Sequence, residues 1–521
     1  MPEVSREVEV TFSADDGDEL PSLAALAGSP DDPVPLLSGE PERQVLRTTY
    51  VDTADLDLAR HGITLRRRVG GEGGGWFLTV PGGAPGGSQV RRPPGRAGSA
   101  VPDELQRLVR ARTGGRLLAP VARVTTGRTV HRVFDATDRV VLELTDDRVS
   151  ARRILPVEGS GEAAGAQVTW REIAVVTPDA DGERLAAVAG ALRERGLTEG
   201  PRTSELARVL DVGTPAPHDG RPSRGRPTGR KSSTSSVVVA YLTDQLEQIR
   251  SQDLLVRLGA PGSVHKTRVA TRRSRSALAT FRAAFDPDVV TPLRAELKWL
   301  AGVLGEVRDA EVMRARVRDV LEAGSADATV PPAPAGVDVG SAHAVARTAL
   351  LAALDGERYD RLLDALEELV DAPPTTERGD RRAGKQLRRG IAHEYDHVRR
   401  LMKRSRAAGE PERRGRLLHD ARKAAKRTRY AAELAGDVLG ADARAFAAAM
   451  ESLQEALGEY QDTVVLRAHL RELAAGTTDP AAAFTYGRLH ALEEVRAREA
   501  EGRVPAVWAE ARRKRLRRRL R

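Results

Sequence analysis

At 521 residues, 40% of them hydrophobic, the chain is too long for one hydrophobic core, and two or three domains are expected. It has no cysteine, which excludes disulfides and thiolate metal ligands, and it lacks both a signal-peptide pattern and an apolar run of the roughly 20 residues that span a bilayer, so a cytoplasmic protein is expected. A formal net charge of +9 calls for a polyanionic partner, whether nucleic acid, polyphosphate or an anionic membrane surface, and aromatic residues at only 3% leave few stacking platforms for bases.

From Val4 to about Arg208, short alternating runs are broken by Gly, Pro and Asp clusters, the pattern of an antiparallel sheet. The clearest strands are 6–12, 64–69, 75–80, 128–134, 139–149 and 168–176. Alternate residues of a strand share a face, so Glu7, Glu9 and Thr11 point one way, as do Arg66 and Arg68, Arg128 and Arg132, and Glu143, Thr145 and Asp147. Such charges fit the solvated outer face of a sheet. They also fit a polar barrel lumen in which carboxylates hold a hard cation and arginines neutralise phosphate.

The segments EVEVT at 7–11, TTYVDTADLDLARHGITLRRR at 48–68, GWFLTV at 75–80 and WREIAV at 170–175, in this order, resemble the CYTH domain of triphosphate tunnel metalloenzymes. The resemblance implies an eight-stranded antiparallel β-barrel, a tunnel in which acidic residues hold Mg²⁺ or Mn²⁺ while Lys and Arg bind a short triphosphate. Carried over by position, Glu7, Glu9, Glu143, Asp147 and Glu172 are the metal-side carboxylates, and Arg66, Arg68, Arg91, Arg128 and Arg132 the phosphate side. Four positions depart from the family pattern. Thr11 and Thr79 stand where lysines are usual, Glu205 replaces the lysine of a Ser-Lys-Leu-like stretch, and Ala174 replaces the second acid of the WRExE-like strand. Each missing charge-assisted contact is worth roughly 1.5 to 3 kcal/mol, so a weakened or inactive tunnel is expected, with a metal-dependent triphosphatase as the alternative.

The 1–211 domain is expected to end in a flexible, cationic linker at 212–236, rich in Pro, Gly, Ser and Arg. From Val237 onward helix replaces strand: 240–258, 276–285, 293–321, 346–354 and 358–370 place apolar residues at three- and four-residue steps, and a basic helix is expected at 381–406. At 264–275, VHKTRVATRRSR sets His265, Arg268, Arg272 and Arg275 within roughly 80° of a helix face, with Arg273 at its edge. LHDARKAAKRTR at 418–429 repeats the spacing as His419, Arg422, Lys426, Arg427 and Arg429, with Lys423 added. Each copy is followed by an echo, LGEVRD at 304–309 and LGEYQD at 457–462, and two matched pairs in register read as duplicated helical units, about 237–325 and 341–475.

These paired motifs resemble the CHAD domain, named for conserved histidines in an α-helical fold, over 237–505. The resemblance implies two pseudo-symmetric four-helix bundles around a basic cavity, inorganic polyphosphate as ligand with no cofactor required, and association with polyphosphate granules. The chemistry fits independently: a phosphate polymer has dense negative charge and no bases, and calls for Arg and Lys without aromatic platforms. The same place in both copies puts His265 and His419 on the binding face rather than in the core, and neither has a His or carboxylate at i+4 to complete a helical metal chelate. Asp309 and Asp462 either orient basic side chains or pair on the helix surface, with the structural role favoured. A basic tail at 506–521, eight of its last ten residues Lys or Arg, is expected to be a frayed helix or disordered arm with nonspecific affinity for polyanions, nucleic acid included. Oligomeric state is not legible from these patterns.

Overall fold

The computed structural model describes residues 8–18, 36–71, 74–80, 88–92, 100–154, 167–177, 182–200, 205–210, 232–325 and 340–518. The chain divides into two compact units, Met1–Ser223 and Arg224–Arg521. The expected linker falls largely on residues outside the described set; the helical unit starts where the Ser233 side chain accepts a hydrogen bond from the Ser236 N–H and caps the first helix.

The first unit is one antiparallel sheet. Its strands are β1 (Val8–Ala14), β2 (Leu37–Ser38), β3 (Glu42–Asp52), β4 (Thr64–Val69), β5 (Gly75–Val80), β6 (Ser88–Arg92), β7 (Ala119–Phe134), β8 (Val140–Arg153), β9 (Gln167–Thr177) and β10 (Thr198–Glu199). The order is β10-β1-β9-β8-β7-β3-β4-β5-β6, with β2 beside β7. Eight of these are the strands of the expected tunnel, and the other two are dipeptides added at β2 and β10. Among the described residues the pairing stays open between β6 and β10, so the sheet is not the closed barrel expected. One hydrophobic core joins Phe12, Val133, Leu144 and Ile173 to Leu185, Val188 and Leu192 of α2 (Gly182–Glu194), whereas α1 is Asp103–Thr113. A second core joins Tyr50, Val124 and Val149 to Leu206, Val209 and Leu210 of α3 (Glu205–Leu210).

Register explains two departures from the family pattern together. Thr11 of β1 lies directly opposite Ala174 of β9, so the absent lysine and the absent acid are cross-strand neighbours. Losing one alone would leave a charge facing an apolar or neutral partner; losing both leaves neither.

The second unit consists of α4 (Thr234–Leu258), α5 (Ser263–Thr280), α6 (Pro287–Ser325), α7 (Gly340–Leu354), α8 (Glu357–Asp371), α9 (Ala383–Arg406), α10 (Pro411–Leu434), α11 (Gly436–Leu439), α12 (Ala441–Gly476), α13 (Pro480–Ala511) and α14 (Lys514–Arg517). Helices α4 to α7 pack successively, and α9, α10, α12 and α13 repeat that succession. Helices α5 and α10, which carry the two histidine motifs, pack on each other across the repeats. Their buried faces are built of small residues: Thr267, Ala270, Thr271 and Ser274 on α5, and Ala421, Ala424, Ala425 and Thr428 on α10. The hydroxyls turn back onto their own helices, as Thr271 donates to the Thr267 carbonyl at 2.8 Å and Thr428 to that of Ala424 at 3.0 Å. Small, internally satisfied faces let the two backbones approach closely, and this brings their charged stripes within reach of one another.

Candidate functional site

The two cationic rows converge. Arg272 of α5 has Arg268, Arg275 and, from the other repeat, Arg422 as charged neighbours. Lys426 of α10 faces Arg272, Arg422 and Arg268. Neither Arg272 nor Lys426 has a carboxylate at ion-pair distance among the described residues. Burial first, then the crowding of like charge, holds the Lys426 ammonium down at about 7 and depresses the Arg272 guanidinium. His265 and His419 sit at the ends of the rows, each with its imidazole held below its usual range by burial; Arg308 and Arg268 add to the effect at His265, and Lys423 adds to it at His419.

The LGxxxD echoes shape this cradle. A Cβ on Gly305 would stand 3.7 Å from a terminal nitrogen of Arg268, and one on Gly458 would stand 3.2 Å from the corresponding atom of Arg422. Each glycine leaves room for an arginine to lie across its helix. One turn on, Asp309 accepts from Arg268 at 3.1 Å and Asp462 stands 3.8 Å from Arg422. The aspartates therefore aim the arginines. Gln461 bonds to His419 as the echo's third contribution.

Other members of the motifs are engaged elsewhere. Arg273 and Arg429, from different repeats, both pair with Glu433, at 2.9 and 2.7 Å, and lie 5.6 and 5.8 Å from the Tyr430 ring centroid. Arg429 also meets Glu451 at 2.9 Å. Arg427 pairs with Glu394 at 3.0 Å, Lys423 stands 3.6 Å from Asp420, and Arg275 lies toward Arg294 and Arg427. Glu394, Glu433 and Arg294 carry no mark in the sequence, because only the packing of distant helices brings them to the motifs.

In the β unit, charge is balanced internally. Arg128 donates two bonds to Asp147, at 2.8 and 2.6 Å, directly across the β7–β8 ladder, and Asp147 is 4% exposed. Arg132 meets Glu143 and Glu42, each at 2.9 Å. Glu172 accepts from the Trp170 indole at 2.9 Å and from Arg208 at 3.2 Å. Arg66 and Arg68 lie 5.7 and 4.7 Å from the Phe77 ring centroid. Glu205, from α3, accepts from the Tyr50 hydroxyl and stands 3.8 Å from Arg66, which itself donates to that hydroxyl at 3.2 Å. Burial raises the Asp147 and Glu172 carboxyls above their usual range, and the nearby charge of Glu205 adds to both shifts. Glu7 lies outside the described residues, as do the side chains of Glu9 and Arg91.

CYTH folds are in general metal-dependent. Here each described carboxylate carried over to the metal side is already bonded to an arginine. Among the described residues no group of three or more His, Cys, Asp or Glu is placed to hold a metal ion. The described donors thus do not fit a hard-cation site, which needs several oxygens free to converge on one point.

Residues 5–171 match the CYTH domain family and residues 240–471 the CHAD domain family. A Mycobacterium tuberculosis protein, Rv2226, is 34% identical over 505 residues, covering 94% of this chain and 92% of its own length. The chain belongs to the CYTH and CHAD domain-containing proteins. PptA from Streptomyces chartreusis superposes at TM-score 0.45 with 23% identity, covering 53% of this chain and all of its own. The CHAD domain from the plant Ricinus communis does so at 0.42 with 26% identity, covering 54% and 92%. Of the predicted residues in the CHAD unit, Arg268, Arg272, Arg422 and Lys426 are those brought together with His265. In the CYTH unit two predicted arginines meet predicted carboxylates, Arg128 with Asp147 and Arg132 with Glu143, whereas Arg66 pairs with Glu205 and Glu172 with Arg208.

Proposed function

We propose that this protein binds inorganic polyphosphate in the CHAD cradle and associates with polyphosphate granules. The observation that carries the reading is the convergence of Arg268, Arg272, Arg422 and Lys426 with no carboxylate on two of the four. Such a cluster is unfavourable alone and calls for a ligand whose negative charges are as closely spaced as its own. A phosphate chain supplies one charge per unit along a flexible thread. Nucleic acid suits the cradle less: Tyr430, the aromatic beside Arg272, is 7% exposed and already lies against Arg273 and Arg429, so that ring is not free to stack on a base. No helix of the described residues is long and apolar enough to cross a membrane, and the reading needs none.

The CYTH unit is accessory in this reading, a weak phosphate site whose arginines are held by its own carboxylates. Mg²⁺ or Mn²⁺ would have to displace those pairs to bind there.

The test compares long-chain polyphosphate with RNA at physiological salt, for the wild type and for Arg268→Ala/Arg272→Ala/Arg422→Ala/Lys426→Ala. Preference for polyphosphate, lost in the variant with helicity intact, is expected. Unchanged affinity would move the site out of the cradle. Phosphate release from tripolyphosphate with either metal, before and after Thr11→Lys/Thr79→Lys, checks the tunnel; brisk release by the wild type would overturn its accessory role.

A further inference from the structure

Up to Arg518 the carboxy-terminal basic segment is ordered against the helical unit. Helix α13 continues to Ala511 with Trp508 only 4% exposed, and α14 follows at Lys514–Arg517. The Arg517 guanidinium sits 4.7 Å from the ring centroid of Tyr395 on α9 and donates to the Arg512 carbonyl at 3.1 Å. Tyr395 is in turn packed on Phe446 and Trp508, with centroids 5.6 and 6.0 Å away. Arg399 of α9 and Arg512 also lie beside this tyrosine. Three guanidiniums, one from α9 and two from the terminal segment, are thereby gathered on one aromatic anchor.

Around that anchor the surface is cationic and open. Arg399, Lys403, Arg512, Arg513, Lys514 and Arg515 are all exposed. Asp396 stands 3.4 Å from Arg399, and Glu510 pairs with Arg513. Lys403, Arg512, Lys514 and Arg515 have no ion-pair partner among the described residues. This surface is separate from the cradle. On a helix, Tyr395, Arg399 and Arg406 fall within roughly 40° of one another, and His397, Arg400 and Arg404 within roughly 60° on the opposite side. His397 is the residue whose charged neighbours include Arg427 and Asp420 of the cradle helix α10. The anchor therefore lies on the side of α9 away from the one that meets α10, the helix that carries Arg422 and Lys426 of the cradle.

We propose that the docked segment Arg512–Arg517 and the Arg399 face of α9 form a second phosphate-chain surface, so that one molecule bridges two stretches of inorganic polyphosphate. The ligand class follows from what the surface offers: cations at high density, with Tyr395 and Trp508 both buried and thus no platform for a base. Two separated sites on one rigid helical unit act as a cross-linker, because a long chain held at one site is at high effective concentration for the other, or for a neighbouring molecule. The inference rests on polyphosphate as the ligand of the cradle and adds bridging to it.

The experiment uses the full chain with long-chain polyphosphate, reading affinity by competition and cross-linking by light scattering and sedimentation. It compares wild type, an arm variant (Arg512→Ala/Arg513→Ala/Lys514→Ala/Arg515→Ala) and a cradle variant (Arg272→Ala/Lys426→Ala), each checked by circular dichroism. The arm variant is expected to keep its affinity within about threefold while scattering falls about tenfold or more. Scattering equal to wild type in the arm variant would overturn the bridge. So would RNA of matched charge cross-linking as well as polyphosphate, which would make the surface a nucleic-acid contact. A cradle variant that binds like wild type would instead refute the cradle, with the arm result still read on its own.

Discussion

Lys426 makes polyphosphate binding dependent on pH in a direction that can be worked out. Its ammonium is held at about 7 by burial and by Arg272, Arg422 and Arg268, with Asp462 the opposing carboxylate, against 10.5 ordinarily. Between those values the unfolded chain carries a proton that the folded protein lacks. The stability of the free protein therefore rises with pH across that window, by up to about 1.4 kcal/mol per pH unit, and the full penalty is present below about 7, where both states are protonated. A phosphate chain laid along the cradle reverses the balance, since its charge favours the ammonium. Binding then takes up a proton, and affinity falls as pH rises above 7. With the bound ammonium restored to its ordinary 10.5, the fall from pH 7 to 8.5 is about sixteenfold, or roughly 1.6 kcal/mol. His265 and His419 are already held below the usual imidazole range and so stay neutral in the free protein throughout this interval. The assay is competition binding of long-chain polyphosphate at fixed ionic strength for wild type and Lys426→Arg, the residue found at the equivalent position Arg272. The arginine variant should vary by no more than about twofold, because guanidinium does not titrate in this range. A wild-type profile as flat as the variant's would refute contact between Lys426 and the chain.

Gly458→Ala should stabilise its helix by roughly 0.5 to 1 kcal/mol in thermal unfolding while weakening polyphosphate binding several-fold, because the new methyl would stand 3.2 Å from Arg422. Gly305→Ala, with 3.7 Å to Arg268, should leave binding unchanged, and equal losses at the two sites would discount the glycine cradles. Glu205→Gln removes the anion that competes for Arg66, so tripolyphosphate affinity measured with the cradle disabled should rise about tenfold. No rise would mean that Arg66 is closed to phosphate for another reason. Arg128→Ala strands the buried Asp147 and should cost about 3 to 5 kcal/mol by denaturant unfolding at pH 7. Because burial raises the Asp147 carboxyl, that cost should shrink as pH falls and the group protonates; a loss below about 1 kcal/mol at pH 7 would contradict the pairing.

Local pattern carried much of this protein. Alternation over 64–69 and 128–134 specified strands, three- and four-residue steps from Val237 specified helices, and the doubled histidine motifs with their LGxxxD echoes specified a duplicated cationic unit. Those features are periodic, and period depends only on each element's own geometry. Which arginines remain available was decided by tertiary packing. Arg272 and Arg273 are adjacent in the chain, yet one faces cations across the repeats and the other is neutralised by Glu433. Glu205 reads as a lost lysine in the sequence, whereas α3 places it as the acceptor of the Tyr50 hydroxyl and as the anion beside Arg66. Thr11 and Ala174 look like independent losses until the ladder sets them side by side. The basic tail looks unanchored until Tyr395 meets Arg517. In each case a helix wheel or strand alternation fixes the direction in which a side chain leaves its own backbone, but availability is set by the charge that another element places a few ångströms away, and that partner is chosen only when the elements pack.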